Sequence, residues 1–182
     1  DGNFTMTEGN FSPTTNVYLS GNLIISSTNV GDESDTGNLI FDGTGLQTIT
    51  NSAGATAIVA EVTIANISAS GVRMDNAVTF GSEFIMNANS KFDCNGYNLA
   101  SGYTWTVDST ATFITGTNTV TFNSTSGVSI TTGGTDDNHD FNNVVMDFNG
   151  TADSFDVITN DMDIDGNFTM TEGNFSPTTN VY

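Results

Sequence analysis

The stretch DMDIDGNFTMTE, residues 161–172, carries the sharpest chemical pattern in the chain. Asp161, Asp163, Asp165, Gly166 and Glu172 satisfy the calcium-loop spacing D-x-D-x-D-G-x5-E. That spacing offers hard carboxylate oxygens at alternate positions, a glycine for a sharp turn and a closing carboxylate. Calcium is therefore the cofactor this sequence admits, with Asp161, Asp163, Asp165 and Glu172 as its ligands. The competing reading is an ordinary acidic turn. An EF-hand needs a helix on each side, whereas Met162, Ile164, Phe168 and Met170 alternate as strand, Asp-Gly-Asn turn, strand.

Two further acidic stretches stand out. GTDDNHD (134–140) surrounds His139, the one histidine, with Asp136, Asp137 and Asp140. A transition-metal site and a solvated loop are both open to it. GDESD (31–35) reads as a solvated loop. Catalysis finds little to work with. Arg73 and Lys91 are the only cations, no nucleophile–base pair is evident, and the glycines fall in turns rather than in a phosphate loop. The chain reads as non-enzymatic. Cys94 is alone, which excludes an intrachain disulfide or a CxxC pair.

Charge narrows the partners. With 21 acidic against 2 basic residues the net charge is −19, which repels nucleic acid and anionic lipid and attracts divalent cations. No apolar run reaches the ~18 residues of a membrane helix, so no membrane insertion is expected. Sequons occur at Asn3, Asn10, Asn66, Asn123, Asn149, Asn167 and Asn174. Pro13 and Pro177 follow two of them, leaving Asn3, Asn66, Asn123, Asn149 and Asn167 as candidate glycosylation sites. Scarce lysine, abundant Thr and Asn, and high acidity favour an extracellular setting.

The elements that must position these groups are strands. Helical periodicity is absent. Instead, four- to six-residue runs with alternate apolar positions are closed by Gly, Asn, Asp or Ser. They fall at 4–7, 16–19, 22–26, 38–41, 47–50, 58–64, 71–74, 77–80 and 83–86. The series continues at 91–94, 103–107, 111–115, 118–122, 128–131, 143–148, 155–159 and 162–164. Thr recurs in TxT pairs at FTMT (4–7), QTIT (47–50), YTWTV (103–107) and NTVTF (118–122). Outward Thr ladders of this kind offer an ice- or sugar-binding face beside Tyr103 and Trp105; Thr is also the commonest outward strand residue.

Repetition sets the scale. DGNFTMTEGNFSPTTNVY occupies 1–18 and recurs letter for letter at 165–182. Residues 1–164 are then one full period, and 165–182 begin the next. The period divides into two diverged halves of about 82 residues, approximately 57–140 and 141–164 continuing as 1–56. FDGTGLQTIT (41–50) aligns with FNSTSGVSIT (122–131), VTIAN (62–66) with VVMDF (144–148), and VTFGSEFIM (78–86) with MDIDGNFTM (162–170). The half equivalent to the calcium-like loop lacks its Asp series. A Gly-Asn pair followed by two apolar or hydroxyl residues recurs at 2–5, 9–12, 21–24 and 37–40.

Fixed periodicity of short strands predicts an all-β, parallel β-solenoid of six or seven coils per period. Tandem immunoglobulin-like sandwiches of ~82 residues are the alternative. Recurrence inside each half favours the solenoid. The segments GNFTMTEGNF, NLIFDGTGLQTIT, NSKFDCNGYNL and GTNTVTFNSTSG resemble the Thr/Asn/Gly-rich β-helical repeats of large bacterial and archaeal surface proteins, adhesins and extracellular fibre proteins. That resemblance implies a secreted structural or adhesive role and supplies no site residues. The expectation is a structural repeat of an extracellular filament or cell-surface fibre, whose partners are copies of itself along the axis, with divalent cations as a further partner. The alternative is an adhesin stalk or a glycan- or ice-binding module, calcium-dependent or not.

Overall fold

The computed structural model describes residues 2–9, 11, 13–26, 37–52, 54, 58, 60–148, 150 and 153–182. Among these there is no helix. Three parallel sheets of six, five and eight strands stack into a β-solenoid of about seven turns. The all-parallel ladders leave no place for antiparallel sandwich domains.

From Val72 to Thr131 the coils visit three faces in a fixed order; before Val72, the strands among the described residues alternate between the first and third faces. The first face holds Phe4–Met6, Leu23–Ile25, Gln47–Asn51, Val72–Met74, Lys91–Asp93 and Thr112–Ile114. The second holds Val78–Phe80, Leu99–Ser101, Thr119–Phe122, Asn143–Asp147 and Phe168–Glu172. The third holds Val17–Leu19, Asn38–Phe41, Glu61–Ile64, Phe84–Met86, Trp105–Val107, Val128–Thr131, Ser154–Thr159 and Asn174–Phe175. Most expected strands appear within a residue or two of their predicted bounds. The run at 162–164 differs: Met162 and Ile164 form isolated bridges to Val181 and Phe141 instead of a strand.

Strands of three residues suffice because alternation sends one or two of their side chains into the core: two from Val72–Met74 and Trp105–Val107, and Phe92 and Phe113 alone from Lys91–Asp93 and Thr112–Ile114. Val72, Met74, Trp105 and Val107 are buried, while Arg73 and Thr106 between them are not. The core is then a column of stacked layers. Phe84 lies 5.1 Å from Phe80 and 4.3 Å from Trp105, which in turn meets Phe113 at 5.2 Å and Phe122 at 5.8 Å. Rings at these separations add attraction beyond the area they bury.

The Gly-Asn pairs sit at the corners. A Cβ at Gly21 would collide with the Gly2 carbonyl, one at Gly37 with the Pro13 carbonyl, and one at Gly166 would come within 2.5 Å of the Asn142 carbonyl oxygen. Glycine thus lets a corner press against the coil before it. The following asparagine carries the coil-to-coil bond where the regular ladder stops. Asn3 Oδ1 accepts from Asn22 N at 3.1 Å and Asn22 Oδ1 from Thr48 N at 2.8 Å, while at the Gly166–Asn167 corner the backbone Asn167 N donates to Oδ1 of Asn143, which follows Asn142 and not a glycine, at 3.0 Å. Left-handed turns at Asn89, Asn95 and Asn160 use the same residue type, which tolerates positive φ better than other side chains.

Candidate functional site

The carboxylates of the calcium-like pattern lie on one extended strip of chain. Phe141 N donates to Asp163 O at 2.9 Å, Asp165 N to Phe141 O at 2.9 Å and Gly166 N to Asn142 O at 2.7 Å, so residues 163–166 are laid flat on the preceding coil. On the other side Met162 N and Ile164 N donate to Asn180 O and Tyr182 O of the next coil. Pinned from both sides, the segment runs extended between two coils, and its alternate side chains stand about 7 Å apart along it. Glu172 lies further on, at the end of the Phe168–Glu172 strand, and is exposed. Among the described residues no three or more His, Cys, Asp or Glu side chains gather in a way that would hold a metal ion.

Asp161 has a different job. Its carboxylate accepts from Asn180 N at 2.9 Å, Asn180 Nδ2 at 3.1 Å and the Tyr182 hydroxyl at 3.4 Å. The Asn180 side chain, then its backbone N–H, holds this carboxyl below the usual range. Asp161 therefore braces one coil against the next.

The histidine loop is likewise knotted on itself. His139 is buried, its Nδ1 bonded to the Asp136 carboxylate, and its backbone N donates to Asp136 O at 2.8 Å. The His139 hydrogen bond in turn lowers the Asp136 pKa. Its Nε2 meets no protein partner, and Gly133 packs on the ring so closely that a Cβ there would overlap it. GDESD (31–35) lies outside the described residues.

Asp140 is the perturbed acid of this corner. Burial first, and then the facing carboxylates of Asp163 and Asp165 with those of Asp137 and Asp136, push it up to about 6. Its Oδ1 is closed off without a hydrogen-bond donor. A folded-state pKa above the ordinary ~3.9 means the folded chain holds this proton more tightly than the unfolded one. The associated stability is present at low pH and is lost as pH rises through about 6. Asp140→Asn is therefore expected to raise stability at pH 7 by about 1 kcal/mol, the full shift being discounted for solvent screening of a half-exposed group. Urea titrations of both proteins at pH 4 and pH 7 measure this. The gain should vanish at pH 4, and an equal gain at both values would remove the charge of Asp140, through burial and carboxylate repulsion together, as its cause.

The remaining expected positions are dispersed. Asn3, Asn123 and Asn167 are exposed, whereas Asn149 lies outside the described residues. Asn66 is fully buried, and its Nδ2 is shared among Gly45 O, Gln47 Oε1 and Gly71 O. A glycan on that nitrogen would have to replace all three contacts. Trp105 is fully buried in the core and is no sugar platform, although Tyr103 beside it is exposed. The ladder of the third face reads Tyr18, Ile40, Thr63, Ile85, Thr106, Thr131, with Thr63 buried, so two isoleucines interrupt its hydroxyls. Arg73 pairs with Asp75 at 3.1 Å, and the Lys91 ammonium donates to Ala69 O at 3.1 Å.

Sequence reasoning did not assign the coil-to-coil asparagine contacts to particular residues. Their signal was present in the recurring Gly-Asn pairs. Among the described residues no helix is long and apolar enough to cross a membrane. Comparison with family models, curated protein sequences and solved structures gives no match to this chain.

Proposed function

We propose that the chain is a non-catalytic structural repeat of an extracellular filament or cell-surface fibre, giving it length and stiffness, with copies of the same repeat as its axial partners. One observation carries this reading. The repeated tripeptide Phe-Thr-Met makes a parallel ladder with the coil after it in its first copy, where Phe4, Thr5 and Met6 pair with Leu23, Ile24 and Ile25. In its second copy the same tripeptide pairs with the coil before it, where Phe168, Thr169 and Met170 face Val144, Val145 and Met146. Overlaying the two copies would give one strand bonded on both sides in a single register. Repeat would then follow repeat without a seam, as stacked solenoid units require.

The high negative charge keeps such fibres apart laterally, and the exposed sequons at Asn3, Asn123 and Asn167 suit an outer surface.

Cryo-electron microscopy of the native material tests the proposal. Long filaments with a meridional spacing of about 4.8 Å, persisting in chelator, are the expected result. Discrete particles, or filaments that dissolve when divalent cations are removed, would overturn it. Binding of a single repeat to a glycan array would move the assignment to an adhesive module.

A further inference from the structure

The two copies of the repeated stretch do not lie on the same face. Phe4–Met6 belongs to the first face, Phe168–Glu172 to the second. Asn174–Phe175 follows on the third, and Val181 then bridges Met162. In the first copy, Val17–Leu19 already occupies the third face. The local shape is nonetheless preserved. Phe4 and Phe11 lie 4.9 Å apart, and so do Phe168 and Phe175. The same letters make the same corner, turned one face on.

The ladder fixes the size of the step. Phe4 stacks on Leu23, Leu23 on Ile49 and Ile49 on Met74. The column continues from Arg73 to Asp93 and on to Ile114. Phe113 N and the Thr115 hydroxyl then reach the carbonyls of Asn138 and Asp140, and neighbouring Phe141 bridges Ile164. Those are seven full coils, and Phe168 lies one face beyond.

The diverged halves give the same answer independently. Phe41 is on the third face and its equivalent Phe122 on the second; Gln47–Asn51 is on the first and its equivalent Val128–Thr131 on the third. Phe84 on the third face corresponds to Phe168 on the second. Every pair is displaced by two faces. From Phe41 the ladder climbs through Ile64 and Met86 to Val107, three coils, before reaching Phe122 two faces later. Each half thus advances three and two-thirds coils, and two halves make seven and one-third.

We infer that the 164-residue repeat is a one-third-turn screw: each repeat advances the solenoid by seven and one-third coils and hands its surface to the next face. This rests on the reading of the chain as one unit of a continuous fibre. Corners interchangeable between faces make it feasible. Gly-Asn precedes the strands at Phe4 on the first face, Asn38–Phe41 on the third and Phe168 on the second. A sequence so built fits three neighbouring-sheet environments in turn. The outcome is a fibre with no preferred side, presenting the same outward residues and the same negative charge in three directions, so that it repels neighbouring fibres equally all round.

The test is helical reconstruction of the fibre together with a site-specific label. At ~4.8 Å per coil the repeat should rise about 35 Å with a rotation near 120°, returning to the same face after roughly 106 Å. Gold–maleimide on Ile67→Cys, an exposed position, should mark one side every ~106 Å; buried Cys94 stays unlabelled. A single row of labels every ~35 Å along one side would overturn the screw while leaving the fibre intact. Absence of any ~4.8 Å axial order would instead overturn the fibre reading itself.

Discussion

Replacing Trp105 by alanine is expected to lower the unfolding free energy by about 4 kcal/mol. The indole is fully buried and touches rings in three successive coils: Phe84 at 4.3 Å, Phe113 at 5.2 Å, Phe122 at 5.8 Å and Phe141 at 5.9 Å. A solenoid coil is held only by its neighbours, so a cavity here weakens both interfaces of one layer and gives the column a point at which to part. The cost is smaller for Trp105→Phe. That change keeps a ring in the stack and removes an indole N–H with no protein acceptor, so a loss below about 2 kcal/mol is expected. Equilibrium urea unfolding of the three proteins decides the matter. A loss under about 1 kcal/mol for the alanine variant would mean that the layer collapses to fill the space.

The fold was legible because its rule is local. Alternation within short runs and Gly, Asn, Asp or Ser at the corners are visible without knowing what stacks on what. The strand Leu99–Ser101 shows where that visibility ends. Leu-Ala-Ser, between NGY and SGY, looks like turn sequence, yet Ser101 points inward and is fully buried. It stands in the ladder between Phe80 and Phe122, and a small side chain leaves room between two phenyl rings. Only the neighbouring coils explain that choice, and they lie about twenty residues away in each direction.

The geometry of the candidate site was hidden for the same reason. Asp161, Asp163 and Asp165 match a loop spacing that has meaning only where the chain is free to wrap an ion. Here Phe141 on one side and Asn180 and Tyr182 on the other hold the segment straight. Spacing along the chain reported the residue types correctly, and the ladder decided their geometry. Coil number was also nearly readable. Six or seven coils per period were expected, and the solenoid makes about seven turns. The displacement of the repeated stretch by one face could not be read from the letters, since identity of sequence carries no record of phase.

Asn66 shows how a buried polar group can hold a coil in place, and Asn66→Asp is expected to cost about 4 kcal/mol at pH 7. The side chain is fully buried; its Oδ1 accepts from Ser68 N at 2.9 Å, while Nδ2 faces Gly45 O at 2.8 Å, Gln47 Oε1 at 3.0 Å and Gly71 O at 3.3 Å. Aspartate would keep the first bond but set a carboxylate oxygen against three acceptors. Gln47 cannot relieve this by turning its amide over. Its Nε2 is held by Leu19 O and Gly21 O, both at 2.6 Å, and its Oε1 also accepts from Gly43 N at 2.8 Å. Asn66→Ala removes the amide without adding charge and should cost less, about 2–3 kcal/mol from the carbonyls and the Ser68 amide left unpaired. The introduced carboxyl has a folded-state pKa raised by its acceptor surroundings, so its penalty shrinks as pH falls through that value, whereas the alanine penalty does not. Denaturant unfolding at pH 7 and pH 4 therefore separates charge burial from lost hydrogen bonds. If Asn66→Asp came within about 1 kcal/mol of the parent at pH 7, water would have to reach the site, and the coil at Gly45–Gly71 would be open to solvent instead of sealed by its amides.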